Sequence, residues 1–307
     1  MPRPNLFVIG AMKSGTSSLH DYLGTHPGIY MSSVKEPCHF VPELGRSQGL
    51  EWYLSLFAEG GECTYRGESS VVYTHLPDHP GVPERIDAFS PDARYIFIMR
   101  DPVERAVSHY WHRLKSKRVV ERRDMESAFR ENPVYFNYSD YAMQLRPYLD
   151  RFGADRVLSL TLEELSADTV RVMGSIYAWL GVAVDAVPEQ GFQTVRHVTP
   201  KVITQKIGWL SRLRYSAAWN AMGPWVPAGL RKLGKRLSEP VTIDRASVPV
   251  DAAVEFAREQ LRPRIEALRE LLGRDFPEWK TLYRSDAAAV STPAVAARSI
   301  TDREPTH

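Results

Sequence analysis

Cysteine is close to absent. Cys38 and Cys63 are the only two among 307 residues, and neither stands in a Cys-x-x-Cys or a Cys/His zinc spacing, so the pattern argues for a reducing compartment and against a metal-knuckle module. Whether the two thiols pair with each other is left open by the sequence. An excess of one charge is lacking as well: 39 Lys+Arg stand against 37 Asp+Glu, a net of +2. No global field draws the chain to nucleic acid, and any anion site has to be local. No apolar run approaches the ~20 residues of a membrane span, Met1 to Asn5 carry no signal-peptide pattern, and no internal repeat is present. The chain therefore reads as soluble and cytoplasmic. With 43% hydrophobic residues it can bury the core of one large domain, expected over 1–284.

What the chain does have is a strand that runs into a glycine loop. Leu6-Phe7-Val8-Ile9 leads into GAMKSGTSSL from Gly10 to Leu19, and the spacing Gly10-x4-Gly15 is that of a loop whose backbone N–H groups cradle a phosphate at a helix N-terminus. The Lys-Ser/Thr pair of a nucleotide triphosphatase is missing after the second glycine. Thr16 and Ser17 stand there, and the lysine lies upstream at Lys13. A lysine in the loop can still neutralise a phosphate leaving group, but the missing pair argues against metal-assisted γ-phosphoryl transfer.

A second strand-to-helix transition follows at YIFIMRDP, Tyr95 to Pro102. Five apolar residues in a row predict a strand covered on both faces, as in a parallel sheet. Asp101 reads as an N-cap, Pro102 as the first helical residue and Glu104 as the third residue after the cap. Arg100 is thereby delivered to a helix mouth, with Ser108 a little over two turns further on. A guanidinium fork and a hydroxyl suit a second phosphate. Asp101 also resembles a Walker B aspartate, although Arg100 interrupts that pattern and the cap accounts for it.

Four motifs in order, GAMKSGTSSL, KEPCHF (Lys35 to Phe40), GESSVVY (Gly67 to Tyr73) and RDPVERAVSHY (Arg100 to Tyr110), resemble those of the sulfotransferases that use 3′-phosphoadenosine 5′-phosphosulfate (PAPS), above all the Golgi heparan-sulfate type and its bacterial relatives. They cover most of the first half of the chain, and Asp155 to Val182 adds a weaker match. The resemblance implies an α/β fold, a P-loop-like central parallel β-sheet flanked by helices on both faces, with PAPS as co-substrate and no metal. It also implies that Lys13 with Ser14, Gly15, Thr16, Ser17 and Ser18 holds the 5′-phosphosulfate, and that Arg100 and Ser108 hold the 3′-phosphate. Glu36 is then the base that takes the acceptor proton, His39 is the rival base, and Lys35 is either an acceptor contact or an exposed charge. The late Lys-Gly-Arg loop of the Golgi relatives has no counterpart. Its nearest substitute is the basic turn with Arg196, His197 and Lys201, read either as closing over the nucleotide or as a solvated loop. Set beside those relatives, the chain is bacterial in style.

The second half predicts helices at Asp168 to Leu180, stopped by Gly181, and at Pro263 to Leu272, stopped by Gly273, with Trp279 packing afterwards. Residues 208–236 concentrate Trp209, Trp219 and Trp225 among arginines and lysines. This is either a helical pair packed on the core or an acceptor-site or lid insertion facing a glycan, lipid or membrane surface. Residues 285–307 read as a disordered tail. The function expected is sulfuryl transfer from PAPS to a hydroxyl, or an amine, of a small-molecule, glycan or lipid acceptor; a P-loop small-molecule kinase and a silent nucleotide-binding protein are the alternatives.

Overall fold

In the computed structural model, residues 2–116, 121–192, 202–205 and 241–284 are described. The regular elements that frame the site are β1 (Leu6–Gly10), α1 (Thr16–Leu23), β2 (Ile29–Met31), α2 (Leu50–Ser55), β3 (Tyr65–Ser69), α3 (Val82–Phe89), β4 (Arg94–Met99) and α4 (Pro102–Lys115). They continue with α5 (Met125–Glu131), α6 (Val134–Asn137), α7 (Tyr141–Phe152), β5 (Val157–Thr161), α8 (Leu162–Ala167), α9 (Thr169–Leu180), β6 (Val202–Gln205), β7 (Val241–Asp244), α10 (Asp251–Leu272) and α11 (Lys280–Tyr283). Strands β1 to β5 form one sheet in the order β2-β3-β1-β4-β5, every neighbouring pair parallel. β6 and β7 pair antiparallel in a separate ribbon.

Alternation along the central strands splits the core in two. Phe7 and Ile9 of β1, with Tyr95, Phe97 and Met99 of β4, face one cluster, which α3, α4, α7 and α10 cover. Leu6 and Val8, with Ile96 and Ile98, face the other, which α1, α8 and α9 cover. Residues 95–99 are wholly buried, as the unbroken apolar run requires. The fold expected from the sequence is the fold observed. In such sheets ligands bind beyond the carboxyl ends of the strands, and there the β1–α1, β3 and β4–α4 connections converge.

Helix boundaries follow the local signals where those are strong. Asp168 caps α9 by accepting from the Arg171 N–H, and Gly181 closes it in the left-handed conformation. α10 departs from expectation: it begins twelve residues before Pro263, at Asp251. Its buried stripe runs Ala253, Ala257, Leu261, Ile265, Leu268, and the two alanines make its first half faint in hydropathy. Pro263 lies on the exposed face, where the carbonyl it leaves unpaired can turn to water. Trp279 is fully buried and stacks on Phe276 at 4.1 Å. Cys38 and Cys63 are both free thiols. No helix among the described residues is long and apolar enough to cross a membrane. The turn with Arg196, His197 and Lys201, residues 208–236 and the tail lie outside the described residues.

Asp101 ties the sheet to α11. One carboxyl oxygen accepts from the N–H groups of Val103 and Glu104 at 3.0 and 3.2 Å; the other accepts from those of Thr281 and Leu282 at 2.8 and 3.0 Å. Both oxygens of the Walker-B-like residue are thus engaged by backbone donors. Asp101→Ala is expected to cost about 2–4 kcal/mol, a lost cap plus lost charged hydrogen bonds, read as a fall in the urea midpoint. Asp101→Asn, which keeps one acceptor oxygen, should lose less; an unchanged midpoint in the alanine variant would contradict this role.

Candidate active site

The loop after β1 is built for close approach. Gly15 caps α1 at φ 86°, and a Cβ there would meet Leu162 Cδ1 at 2.6 Å; at Gly10 a Cβ would meet Thr74 Oγ1 at 2.2 Å. No side chain caps α1, so its first turn, beginning at Thr16 and Ser17, presents backbone N–H groups to an anion. Lys13 is held at φ 71°. Burial first, then Arg100, Lys115 and Arg105, push its ammonium pKa below the usual lysine value, while Glu36 opposes the shift. Ser14 is wholly buried, and its hydroxyl makes no well-formed hydrogen bond, though it lies near enough to the Tyr141 phenol to favour that group's ionised form.

β4 and α4 supply the second wall. Tyr141 fixes the Arg100 backbone, its hydroxyl donating to the carbonyl at 2.7 Å. The Arg100 guanidinium meets Glu104 one turn on at 2.5 Å, and Glu104 in turn accepts from the Thr281 hydroxyl at 3.0 Å. Ser108 and His112, four residues apart on one face of α4, both line the same cleft as Lys13 and Arg100. Behind them Arg105 is fully buried and, among the described residues, has only neutral hydrogen-bond partners, the Ser139 hydroxyl and the Tyr135 carbonyl at 2.5 Å each.

The KEPCHF loop forms the third wall on an unusual backbone. Glu36 at φ 59° and Cys38 at φ 53° join Lys13 as the non-glycine left-handed residues among those described. Such conformations cost of order 1–3 kcal/mol each and persist where surrounding structure enforces them. Here the enforcement is visible. The Glu36 N–H donates to the Ser69 carbonyl at 2.9 Å, and the Cys38 N–H to Ser70 Oγ at 3.1 Å. Ser70 Oγ donates at 2.6 Å to Glu68, whose other oxygen accepts from Tyr53 and Tyr73 at 2.8 and 2.6 Å. Glu68 is fully buried; burial pushes its carboxyl pKa up against the pull of those three hydroxyls. The Glu36 carboxylate itself is half-exposed between two cations, Lys35 at 3.4 Å and Arg46 at 3.2 Å.

These walls enclose a cleft of about 690 Å³. Lys13, Gly15, Thr16, Ser17, Ser18, Lys35, Glu36, Arg100 and Ser108 all line it, so residues expected from three separate motifs come together, while Ser14 is buried beneath the loop. His39 does not. Its ring stacks on Tyr53 at 4.1 Å and its Nδ1 is hydrogen-bonded to the Ser47 hydroxyl at 2.7 Å, behind the loop that presents Glu36. Sequence reading missed Arg46, His75 and His112, which the fold alone brings to the cleft. The i, i+4 relation of Ser108 and His112 is the one local signal that could have exposed any of them.

Residues 3–204 match the family model for the sulfotransferase domain. The chain is 25% identical over 211 residues to bifunctional heparan sulfate N-deacetylase/N-sulfotransferase 1 of Caenorhabditis elegans, covering 64% of this chain and 24% of that protein. It is 30% identical over 187 residues to human heparan sulfate glucosamine 3-O-sulfotransferase 6, covering 58% and 52%. It thus spans about a quarter to a half of the length of these curated relatives. The crystal structure of a sulfotransferase from Alicyclobacillus acidocaldarius superposes with a TM-score of 0.65 at 25% identity, covering 91% of this chain and all of that one.

The histidines near the cleft give a pH prediction. Burial first, then Arg105, lowers His75 from 6.5 to about 3 and holds His109 well below 6.5. Unfolded, both would take a proton near pH 6.5. Their neutral packing is therefore fully tolerated above that pH and increasingly opposed as pH falls below it, by up to about 1.4 kcal/mol per unit for each. The raised carboxyl of Glu68 acts with the opposite sign, so the isolating measurement is a difference. The fall in melting temperature from pH 7 to 5 should be shallower in His109→Phe than in wild type, and parallel curves would contradict the assignment.

Proposed function

The chain belongs to the sulfotransferase domain family, and from that membership we propose that it moves a sulfuryl group from PAPS to a hydroxyl, or an amine, of an acceptor, releasing 3′,5′-adenosine bisphosphate. The observation that carries this reading is the convergence of Lys13, Glu36, Arg100 and Ser108 on one cleft. Bound there, PAPS supplies an activated sulfuryl group on a phosphate leaving group.

The residues present fit such a nucleotide. An uncapped helix start with Lys13 beside it suits one phosphate; Arg100 and Ser108 suit another, and Leu162 and Leu165 line the cleft with apolar surface for a flat ring. Lys13 meets charge developing on the bridging oxygen. Its backbone is held in the left-handed conformation within the loop and its side chain lines the cleft, where a positive charge stabilises the departing phosphate. Glu36 removes the proton of the attacking hydroxyl, which is a poor nucleophile without a base in reach. To do so it exchanges its pairing with Lys35 and Arg46 for the acceptor. For this chain the acceptor is a small-molecule, glycan or lipid hydroxyl; the heparan sulfate relatives support the glycan among these.

Mass spectrometry of cell extracts incubated with the protein and isotopically labelled PAPS tests the activity directly, and absence of any labelled sulfated product would sink it. Two further outcomes test the assignments. 3′,5′-Adenosine bisphosphate should raise the melting temperature well above the effect of 5′-AMP, and Arg100→Ala should weaken its binding by about 1.5–3 kcal/mol; equal shifts from both nucleotides would remove the 3′-phosphate role. Glu36→Gln should lower turnover by on the order of a hundredfold or more while leaving bisphosphate binding in place. Near-normal turnover would show that the proton leaves by another route.

A further inference from the structure

Resting on the sulfotransferase reading, we propose that His75 binds the acceptor, its imidazole hydrogen-bonding a second, uncharged polar group on the molecule whose hydroxyl Glu36 deprotonates. His75 lines the cleft together with Glu36 and Arg46, yet only 7% of its surface is exposed, and its Nε2 is buried with no hydrogen-bond partner among the described residues. Leaving a polar atom in that state costs about 1–3 kcal/mol, and native structures retain few such atoms. An acceptor oxygen or nitrogen arriving in the cleft would remove the penalty.

Everything around the ring is pinned while its nitrogen is idle. Thr74 donates from Oγ1 to the Ile9 carbonyl at 2.8 Å. Gln144 grips Leu76 from both sides, accepting from its N–H at 2.8 Å and donating to its carbonyl at 2.9 Å. The ring lies flat against Tyr138, centroids 3.9 Å apart and planes 14° apart, and Tyr138 is hydrogen-bonded to Asp78. A side chain so fixed pays little further entropy when it binds. Its surroundings also set its charge. Burial first, then Arg105, His79 and the Arg46 that pairs with Glu36, favour the neutral ring, which keeps one N–H donor and one lone pair. His75 therefore leaves proton removal to Glu36, and Val71 and Val72 beside it in the cleft suit the uncharged body of an acceptor.

The test compares wild type with His75→Phe, which keeps a flat ring for Tyr138 and deletes the nitrogens, and with His75→Asn, which keeps a hydrogen-bonding group. The probes are 35S-labelled PAPS as donor and a cell metabolite extract as acceptor source, with melting temperatures taken with and without 3′,5′-adenosine bisphosphate. In His75→Phe the half-saturating amount of extract should rise at least about tenfold, with turnover recovering at saturation and His75→Asn restoring part of the loss. Its melting temperature should be unchanged or higher, and the bisphosphate shift unchanged. Equal acceptor kinetics in His75→Phe and wild type would overturn the proposal. A lowered melting temperature with donor and acceptor parameters impaired together would also overturn it, by making the imidazole a packing element. Failure of wild type itself to label anything in the extract sinks the transfer activity, a result separate from either.

Discussion

One buried carboxylate organises the reactive side of this molecule. Glu68 sits at zero exposure beneath the KEPCHF loop and gathers three hydroxyls, those of Tyr53, Ser70 and Tyr73. Through Ser70 it holds the Cys38 N–H, and the neighbouring Ser69 carbonyl holds that of Glu36. A buried acid is tolerated only when fully satisfied, and here the satisfying groups come from α2, through Tyr53, and from the turn directly after β3, through Ser70 and Tyr73. The left-handed bend that presents Glu36 is thus bolted to the core through a residue that never reaches the cleft.

The opposite wall is fixed by the same physics at another place. Asp101 accepts from four backbone N–H groups, two at the start of α4 and two in α11. Arg100 therefore emerges at a mouth that cannot rotate without breaking a tie to residues 281–282. Between these two anchored walls lies the β1–α1 loop, whose steric demands fall on Gly10 and Gly15. Lys13, Glu36 and Cys38 carry the backbone strain of the described chain, and all three belong to the loops that frame the cleft.

What the sequence made legible was what local chemistry encodes. The run at 95–99, the Asp101–Pro102 start and the Gly181 stop each state their structure within a few residues, and the motif order gave the family. Its blind spots have physical reasons. α10 was cut short because Ala253 and Ala257 bury a face without raising hydropathy and because Pro263 looks like a beginning when it sits on the solvent side. Arg46, His75 and His112 gain meaning only from neighbours 10 to 76 residues away in the chain, such as Glu36 for Arg46. His39 is a fair rival to Glu36 by resemblance to the family; its stacking on Tyr53 is a tertiary fact that no spacing announces.

The Arg100–Glu104 pair has a bearing on release. A guanidinium that has held a phosphate would be left bare on the nucleotide's departure, and a bare cation is a barrier to letting go. Glu104, one turn away at 2.5 Å and steadied by Thr281, gives Arg100 a counter-ion to return to. On the proposed assignment of Arg100 to a phosphate, the helix carries its own competitor for that contact, tethered at an effective concentration no free anion can match. Under the proposed transfer from PAPS, whose product resembles its donor so closely, such a competitor weakens retention of the spent nucleotide, and easy departure of the one is a condition for admitting the other.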